Sequence, residues 1–471
     1  MSKPLPAVTA YTLKGQLLAF ILKILLTIVH WIYGRKWHTP PQYFHDDPRH
    51  YTLKDLLFFA YKYYFKSPIK DDANGKIIDF FRNNPPNFSL PTDFKEISTI
   101  KMTAAGDLMP YEWIQPAFCK HLWDDIGEDF FDADIRFANL ETPIDTSQPA
   151  SLVPEVMLND MHFNGDEQMF DIFNPTEYVA YFKNKKGKKW GFDILSTANN
   201  HSLDMGEKGL NNTIHFLKDR KIHPVGTAST EKERFDMPII EKNGIRIGFV
   251  AYTFSMNQMT NPAGKEYLVN HIEVNQPNID LMALKKDIFY LKTVLKADFV
   301  VLSLHYGNAY QAYPGAHIVE NTVRIFEECG PDIILGGHAH NIQPMASVPF
   351  KCPLTQEEKQ GFVIFSFGDF VAYDIFNWCH LSMYLKLEIS KGIDFKSKKI
   401  KSILRGGEPV PVYACGVYKS AKERELRFLN AQKWEQKMDN NEDIPFMTDW
   451  NKEELKGLMK FYREYFAKNL A

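Results

Sequence analysis

DIILGGHAH, residues 332–340, joins a short apolar run to two histidines that are separated by one residue. The run has the length and the branched side chains of a buried strand. The two glycines that follow it allow a tight turn, and two imidazoles spaced in this way can face adjacent metal positions. The stretch therefore predicts a buried strand that ends in a metal-binding turn.

Other apolar runs end in polar side chains of the same kind. Residues 97–104 lead to Asp107, 135–138 to Glu141, 192–196 to Asn200 and His201, and 299–304 to His305, in the same way as 332–335 lead to His338 and His340. Helix-like stretches such as 206–221 and 276–297 alternate with these runs and with further strand-like runs at 245–252 and 362–367, which predicts a layered α/β fold. In such folds ligands bind beyond the carboxyl ends of the strands, so we expect these polar side chains to converge.

Once converged, these side chains would form a donor set for metal ions. Two carboxylates, an amide oxygen and several imidazoles suit one or two divalent cations of borderline hardness, such as Mn, Fe or Zn. The chain has no G-x-G-x-x-G, Walker P-loop, H-E-x-x-H or G-x-S-x-G motif, so it lacks the common dinucleotide, nucleoside triphosphate, zincin and serine-hydrolase signatures.

The overall composition is that of a packed globular protein. The 471 residues are 45% hydrophobic and 24% charged, and the formal net charge is -3. So small a charge gives no electrostatic footprint for a nucleic-acid backbone, and we expect no nucleic-acid partner.

Residues 17–33 form an almost wholly apolar stretch near the N-terminus. Gln16, Lys23, Thr27 and His30 form one narrow polar stripe when the stretch is helical, which favours a helix lying in a membrane interface over a soluble packing helix. A spanning helix would carry Lys23 near its middle. No small-residue cleavage site follows, which disfavours a removable signal peptide. The sequence therefore predicts a membrane-associated protein. Because basic residues flank both ends of the stretch, the side of the membrane is undetermined.

The chain divides into three parts. The Pro- and Asn-rich run NNPPNFSLPTD at residues 83–93 marks a boundary. We expect an N-terminal helical, membrane-associating region with a linker (1–95), in which residues 51–66 form a second helix. A main domain (96–415) and a charged, helical C-terminal tail (416–471) follow.

The order of motifs GDLM, NLE, TANNHSLDMGEKGL, NGIRIGFVAYT, LHYG, GGHAHNIQP and FSFGDF resembles the bacterial capsule synthesis protein family, CapA, also called the poly-γ-glutamate capsule biosynthesis family. That family belongs to the calcineurin-like metallophosphatase superfamily. The resemblance covers residues 99–373, and its most specific part is TANNHSLDMGEKGL. It implies a metallophosphatase-like fold of β-sheets flanked by helices, with helical additions at both ends.

The resemblance also implies roles for seven side chains. Asp107 would bind a first metal, Glu141 would bridge, Asn200, His305 and His338 would hold a second metal, His340 would return to the first, and His201 would be the catalytic general acid.

The sequence departs from the superfamily pattern at two positions. Met109 stands where superfamily phosphatases carry a ligand histidine, and because a thioether is a poor ligand for hard divalent ions we expect a weak or absent first metal. Asp369 stands where the family often has asparagine. It is either a further acidic contact or a capping residue, and we favour capping.

Taken together, these features predict a CapA-like metal-dependent hydrolase, a phosphoesterase linked to capsular or poly-γ-glutamate polymer biosynthesis. Its substrate would be a phosphoester, with monoesters and diesters both open. One alternative is a non-catalytic, membrane-associated accessory protein of capsule polymer assembly or export, which would bind an anionic polymer or capsule-assembly proteins. Another is a metal-dependent amide hydrolase, since Lewis-acid activation also serves carbonyl groups.

Overall fold

A computed structural model describes residues 6–34, 36–37, 46–65, 75–157, 162–175, 190–420 and 423–469 of the chain. The strands of these residues are β1 (Phe94–Leu108), β2 (Ile135–Leu140), β3 (Ile194–Ser196), β4 (His223–Val225), β5 (Ile239–Lys242), β6 (Ile245–Thr253), β7 (Phe299–His305), β8 (Ile333–Gly337), β9 (Ile342–Lys351), β10 (Glu358–Phe367), β11 (Asp369–Val371), β12 (Leu381–Asp394), β13 (Lys399–Tyr418) and β14 (Arg424–Asn430). The α-helices are α1 (Leu13–Tyr33), α2 (Leu53–Tyr64), α3 (Lys76–Asn83), α4 (Gly127–Phe131), α5 (Glu167–Phe173), α6 (Gly206–Asp219), α7 (Met282–Thr293), α8 (Ala316–Cys329), α9 (Ala431–Asp439) and α10 (Asp449–Phe461).

These strands form two mixed sheets. The first has the order β14-β13-β12-β1-β2-β3-β4, with β11 also paired to β1, and the second has the order β5-β6-β7-β8-β10-β9. Strands β1 to β4 run parallel to one another, as do β6, β7, β8 and β10. Helices lie between several of the parallel strands in the chain, so the predicted layered α/β fold is confirmed.

The two sheets share one apolar core. Phe137 of β2 and Phe249 of β6 stack with their ring centroids 6.4 Å apart, which joins the sheets face to face. Helices α7 and α8 pack on the second sheet through buried side chains such as Ile288 and Phe326. With this packing the carboxyl ends of the parallel strands of both sheets are close enough to build one site.

Helix α1 is longer than the apolar stretch recognised in the sequence. It runs from Leu13 to Tyr33, and its 21 residues span about 31 Å, the thickness of a bilayer core. By length and composition it could cross a membrane, and only 11% of its most apolar stretch of 18 residues is buried. A membrane anchor and a signal sequence share these properties.

The N-terminal region is joined to the main domain at several points. Val8 forms a β-bridge with Phe376, and Thr9 donates its backbone N–H to the carbonyl of Ile375 at 2.8 Å. Helix α2 forms where the sequence predicts it, and Tyr63 on this helix donates a hydrogen bond to Asp374. Residue 66, the last of the predicted stretch, lies outside the described residues.

The C-terminal tail is not wholly helical, contrary to the sequence prediction for residues 416–471. Strand β13 continues to Tyr418, and residues 424–430 form β14, which pairs with it. Leu426 and Phe428 lie on either side of the more exposed Arg427 and are fully buried, so burial of these apolar side chains outweighs the charged composition of this segment. The first helix of the C-terminal tail begins at Ala431.

Candidate metal centre

The polar side chains predicted from the sequence converge at the carboxyl ends of the parallel strands. Each lies at the end of its strand or just beyond it: Asp107 on β1, Glu141 after β2, Asn200 and His201 after β3, His305 on β7, and His338 and His340 after β8. Each of these residues is at most 8% exposed. The expected convergence of separate strands on one site is therefore found.

Five of the side chains fall into two neighbouring groups. Potential ligand atoms of Glu141, His305 and His338 lie within 4.8 Å of one another, and so do those of Asp107, Glu141 and His340. Glu141 belongs to both groups. The side chains are thus arranged as two adjoining cation positions that share one carboxylate.

Asn200 joins the first of these groups through His305. Nε2 of His305 lies 2.7 Å from Oδ1 of Asn200 and 3.3 Å from Oε1 of Glu141. An imidazole nitrogen, an amide oxygen and a carboxylate oxygen therefore face one point.

Unpaired polar atoms at the centre test whether a divalent cation fits. Both carboxylate oxygens of Glu141 and both ring nitrogens of His338 are buried, and they form no hydrogen bond with any described residue. A buried carboxylate without a partner costs several kcal/mol, and a cation would remove that cost. The residues present therefore fit divalent metal ions.

The pKa values of the buried groups at the centre lie far from their ordinary range. Burial and the nearby carboxylate of Glu141 raise the pKa of Asp107 to about 7. Burial lowers the pKa of His305 to about 3 and that of His338 to about 4, so both imidazoles are neutral, as metal ligation requires. Although burial opposes it, Asp369 and Glu141 raise the pKa of His340 to about 10, so this ring carries a second proton that a bound cation would displace.

The turn GGHAH places its histidines through an uncommon backbone conformation. His338 and His340 have φ values of 87° and 58°, in the left-handed region that non-glycine residues rarely adopt. A Cβ atom at Gly337 would lie 2.8 Å from Oδ1 of Asp107, so only glycine allows this close approach. The strained backbone agrees with a functional role for the turn.

His201 stands apart from both groups and is held by its own contacts. Its Nδ1 lies 2.6 Å from Oδ2 of Asp204, and its ring stacks on Phe163 with the centroids 3.8 Å apart. The carboxylate fixes Nδ1 and leaves Nε2 for another partner. The sequence did not identify Asp204, although its position three residues after His201 is a usable signal.

Two further residues orient the groups of the centre. Asp369 accepts a hydrogen bond from Nδ1 of His340 at 2.8 Å, so the predicted capping role is wrong and Asp369 is an additional acidic contact. Asn139 donates to Oδ1 of Asp107 at 2.8 Å from the paired position on β2. Met109, at the position of the superfamily histidine, is buried in an apolar cluster, and the group of Asp107, Glu141 and His340 offers three potential ligands without it.

One acidic residue at the centre gave no signal in the sequence. Asp46 comes from the N-terminal region, is 3% exposed, and has Oδ2 3.8 Å from Nε2 of His338. It lies outside every motif, and only the tertiary fold brings it here.

Known proteins resemble this chain over part of its length. The family described as "Bacterial capsule synthesis protein PGA_cap" matches residues 101–374. Over 189 residues, the chain is 29% identical to "Capsule biosynthesis protein CapA" of Bacillus anthracis, covering 40% of this chain and 42% of that protein. It is 26% identical to "PGA biosynthesis protein CapA" of Bacillus subtilis strain 168, covering 39% of this chain and 43% of that protein. The chain thus spans less than half the length of these curated relatives.

Two solved structures show partial likeness. A hypothetical protein from Thermus thermophilus gives a TM-score of 0.33 at 12% identity, with 66% of this chain and 98% of that chain covered. A 5'-nucleotidase from Candida albicans also gives 0.33 at 12% identity, with 80% and 60% covered. Both scores are low, and nothing about the site depends on them.

Proposed function

The chain belongs to the PGA_cap family of bacterial capsule synthesis proteins, and from that membership and its buried centre we propose that it is a metal-dependent hydrolase of phosphoester bonds. The observation that carries this proposal is the pair of adjoining carboxylate–imidazole groups that share Glu141. Its buried oxygens have no hydrogen-bond partner among the described residues.

The residues of the centre divide into those that hold metal and those that orient the ligands. Asp107, Glu141 and His340 would hold one ion, and Glu141, Asn200, His305 and His338 would hold the other. Divalent ions bound there supply Lewis-acid activation of the phosphoryl group and of the attacking water.

The remaining steps belong to the chain's own side chains. His201 would donate the proton that the leaving oxygen needs, from Nε2, because Nδ1 is occupied by Asp204. Asp369 fixes the ring of His340 through Nδ1 and so turns Nε2 away from itself. Asn139 keeps Asp107 in place.

The alternative of a non-catalytic accessory protein is favoured by one observation. Every predicted site residue is at least 92% buried, and the N-terminal region lies against the site, where Oδ2 of Asp46 is 3.8 Å from Nε2 of His338. A site so covered could hold metal for structural reasons or for binding an anionic polymer.

Turnover by the full chain separates these functions. We predict that elemental analysis of the purified protein finds bound divalent metal. The protein should also hydrolyse a phosphomonoester or a phosphodiester. A chelator should remove this activity, and Mn, Fe or Zn should restore it. The same assays include γ-glutamyl polymers. Bound metal without turnover of any substrate would favour the accessory function, and cleavage of γ-glutamyl bonds alone would favour the amide hydrolase.

We also propose that α1 attaches the protein to a membrane by lying in the interface. Large apolar side chains cover its exposed side: Leu17, Phe20, Ile21, Ile24, Leu25, Ile28, Trp31 and Ile32. So large an apolar patch is unusual on a soluble surface. The opposite side packs on α2 through buried Leu26 and through a 2.9 Å hydrogen bond between His30 and Tyr61. A spanning helix would lose these contacts, which supports the interfacial arrangement.

Fractionation tests this attachment. Replacing both Ile24 and Ile28 by glutamate should move most of the protein from the membrane to the soluble fraction, because two charges would enter the apolar interface. Lys14→Glu on the same helix serves as the control and should have a much smaller effect. Alkaline carbonate should release the unaltered protein when α1 lies in the interface. Resistance to carbonate would indicate a spanning helix, and a double variant that stays on membranes would contradict the attachment.

A further inference from the structure

The N-terminal region contributes a buried carboxylate to the metal centre. Asp46 lies ahead of the short turn Pro48–His50 and reaches between α2 and the residues that follow β7. Its Oδ2 is 3.8 Å from Nε2 of His338. Neither the family match at residues 101–374 nor any motif includes this residue.

Three segments of the chain hold this carboxylate in place. The Tyr51 hydroxyl donates to Oδ1 at 2.5 Å, and the backbone N–H of Ala309 donates to Oδ2 at 2.5 Å. The ammonium group of Lys62, which is completely buried, lies 3.5 Å from Oδ2. Burying an aspartate and a lysine together is costly, and apolar residues of similar size would often be as stable. The arrangement therefore points to a role beyond packing.

The other histidine of the same turn shows what this role can be. Asp369 accepts a hydrogen bond from Nδ1 of His340. A carboxylate that receives one ring N–H fixes the tautomer and the orientation of a metal-binding histidine. Among the described residues, neither ring nitrogen of His338 has a hydrogen-bonding partner, and the carboxylate of Asp46 lies 3.8 Å from Nε2.

We propose that Asp46 is a positioning residue for the second metal position. Its carboxylate lies on the Nε2 side of the ring, where it would take the Nε2–H when Nδ1 binds the ion that Glu141 and His305 would hold. The N-terminal region is then part of the centre as well as the attachment to the membrane. This inference rests on the proposed metal binding.

Metal affinity of the full chain tests the inference. Asp46→Asn should weaken one of the two metal equivalents about 10–100-fold in titrations with Zn or Mn and leave the other unchanged. In the protein loaded with cobalt(II), the visible spectrum of one ion should change, and Asp46→Glu should partly restore both readouts. Asp47→Asn is the matched control: its carboxylate pairs with Arg49, so metal affinity should stay at the unaltered value.

The possible failures are distinguishable. Unchanged affinity and an unchanged cobalt spectrum in Asp46→Asn would overturn the inference and leave the proposed function standing. An unaltered protein that binds no divalent metal would overturn both. If Asp46→Asn does not fold, Tyr51→Phe removes one hydrogen bond to Asp46 and keeps its charge. That variant should weaken the same single equivalent several-fold, and equal weakening of both equivalents, or of neither, would contradict the positioning role.

Discussion

Glu141→Gln should remove both metal equivalents and lower turnover by at least about 10³-fold, because Lewis-acid activation contributes several kcal/mol to the reaction. Glu141 is the residue that the two groups of potential ligands share. The amide keeps the shape of the side chain and loses its charge. Asp107→Asn and His338→Ala each affect one group, so each should remove a single equivalent. Elemental analysis together with kinetics on the full chain measures all three variants.

Stability measurements separate the loss of metal from unfolding. Metal-free Glu141→Gln should unfold at no lower urea concentration than the metal-free unaltered protein, since it removes a buried charge that has no hydrogen-bond partner among the described residues. Glu358→Gln, an exposed substitution at the start of β10, is the control for both metal content and turnover. Two metal equivalents retained in Glu141→Gln would contradict the shared ligand.

His201→Ala should lower turnover by about 10²–10⁴-fold and leave the bound metal unchanged. The imidazole belongs to neither group of potential ligands, and its Nδ1 is fixed by Asp204. A general acid contributes most when the leaving oxygen is strongly basic. The loss should therefore be large for an alkyl phosphoester and small for a nitrophenyl ester, whose leaving group needs little protonation.

The control for this prediction is another histidine. His215 lies on an exposed position of α6, and His215→Ala should leave turnover within about twofold of the unaltered protein. An equal loss for both leaving groups in His201→Ala would contradict the role of general acid. Loss of metal from His201→Ala would instead place this histidine among the ligands.

Much of the centre could be predicted because its positions follow local rules. Apolar strands are recognisable from their composition, and the polar residues at their carboxyl ends, such as Asp107 and His305, come together once those strands pair in parallel. The role of Asp369 is not recognisable in this way, because a strand residue that contacts a histidine and a capping residue at a turn look alike in sequence.

The sequence by itself determined the layered α/β fold, the family, and the polar side chains that the strand ends present. Periodicity and composition act over a few residues, and they carry this information without reference to the rest of the chain. Only the tertiary structure decided that β14 interrupts the charged tail, where burial of Leu426 and Phe428 outweighs local composition. It alone also decided that Asp46 lies near His338, because a contact between segments so far apart depends on how α2 packs against the residues that follow β7. No local pattern encodes such packing, since the hydrophobic effect that drives it has no direction.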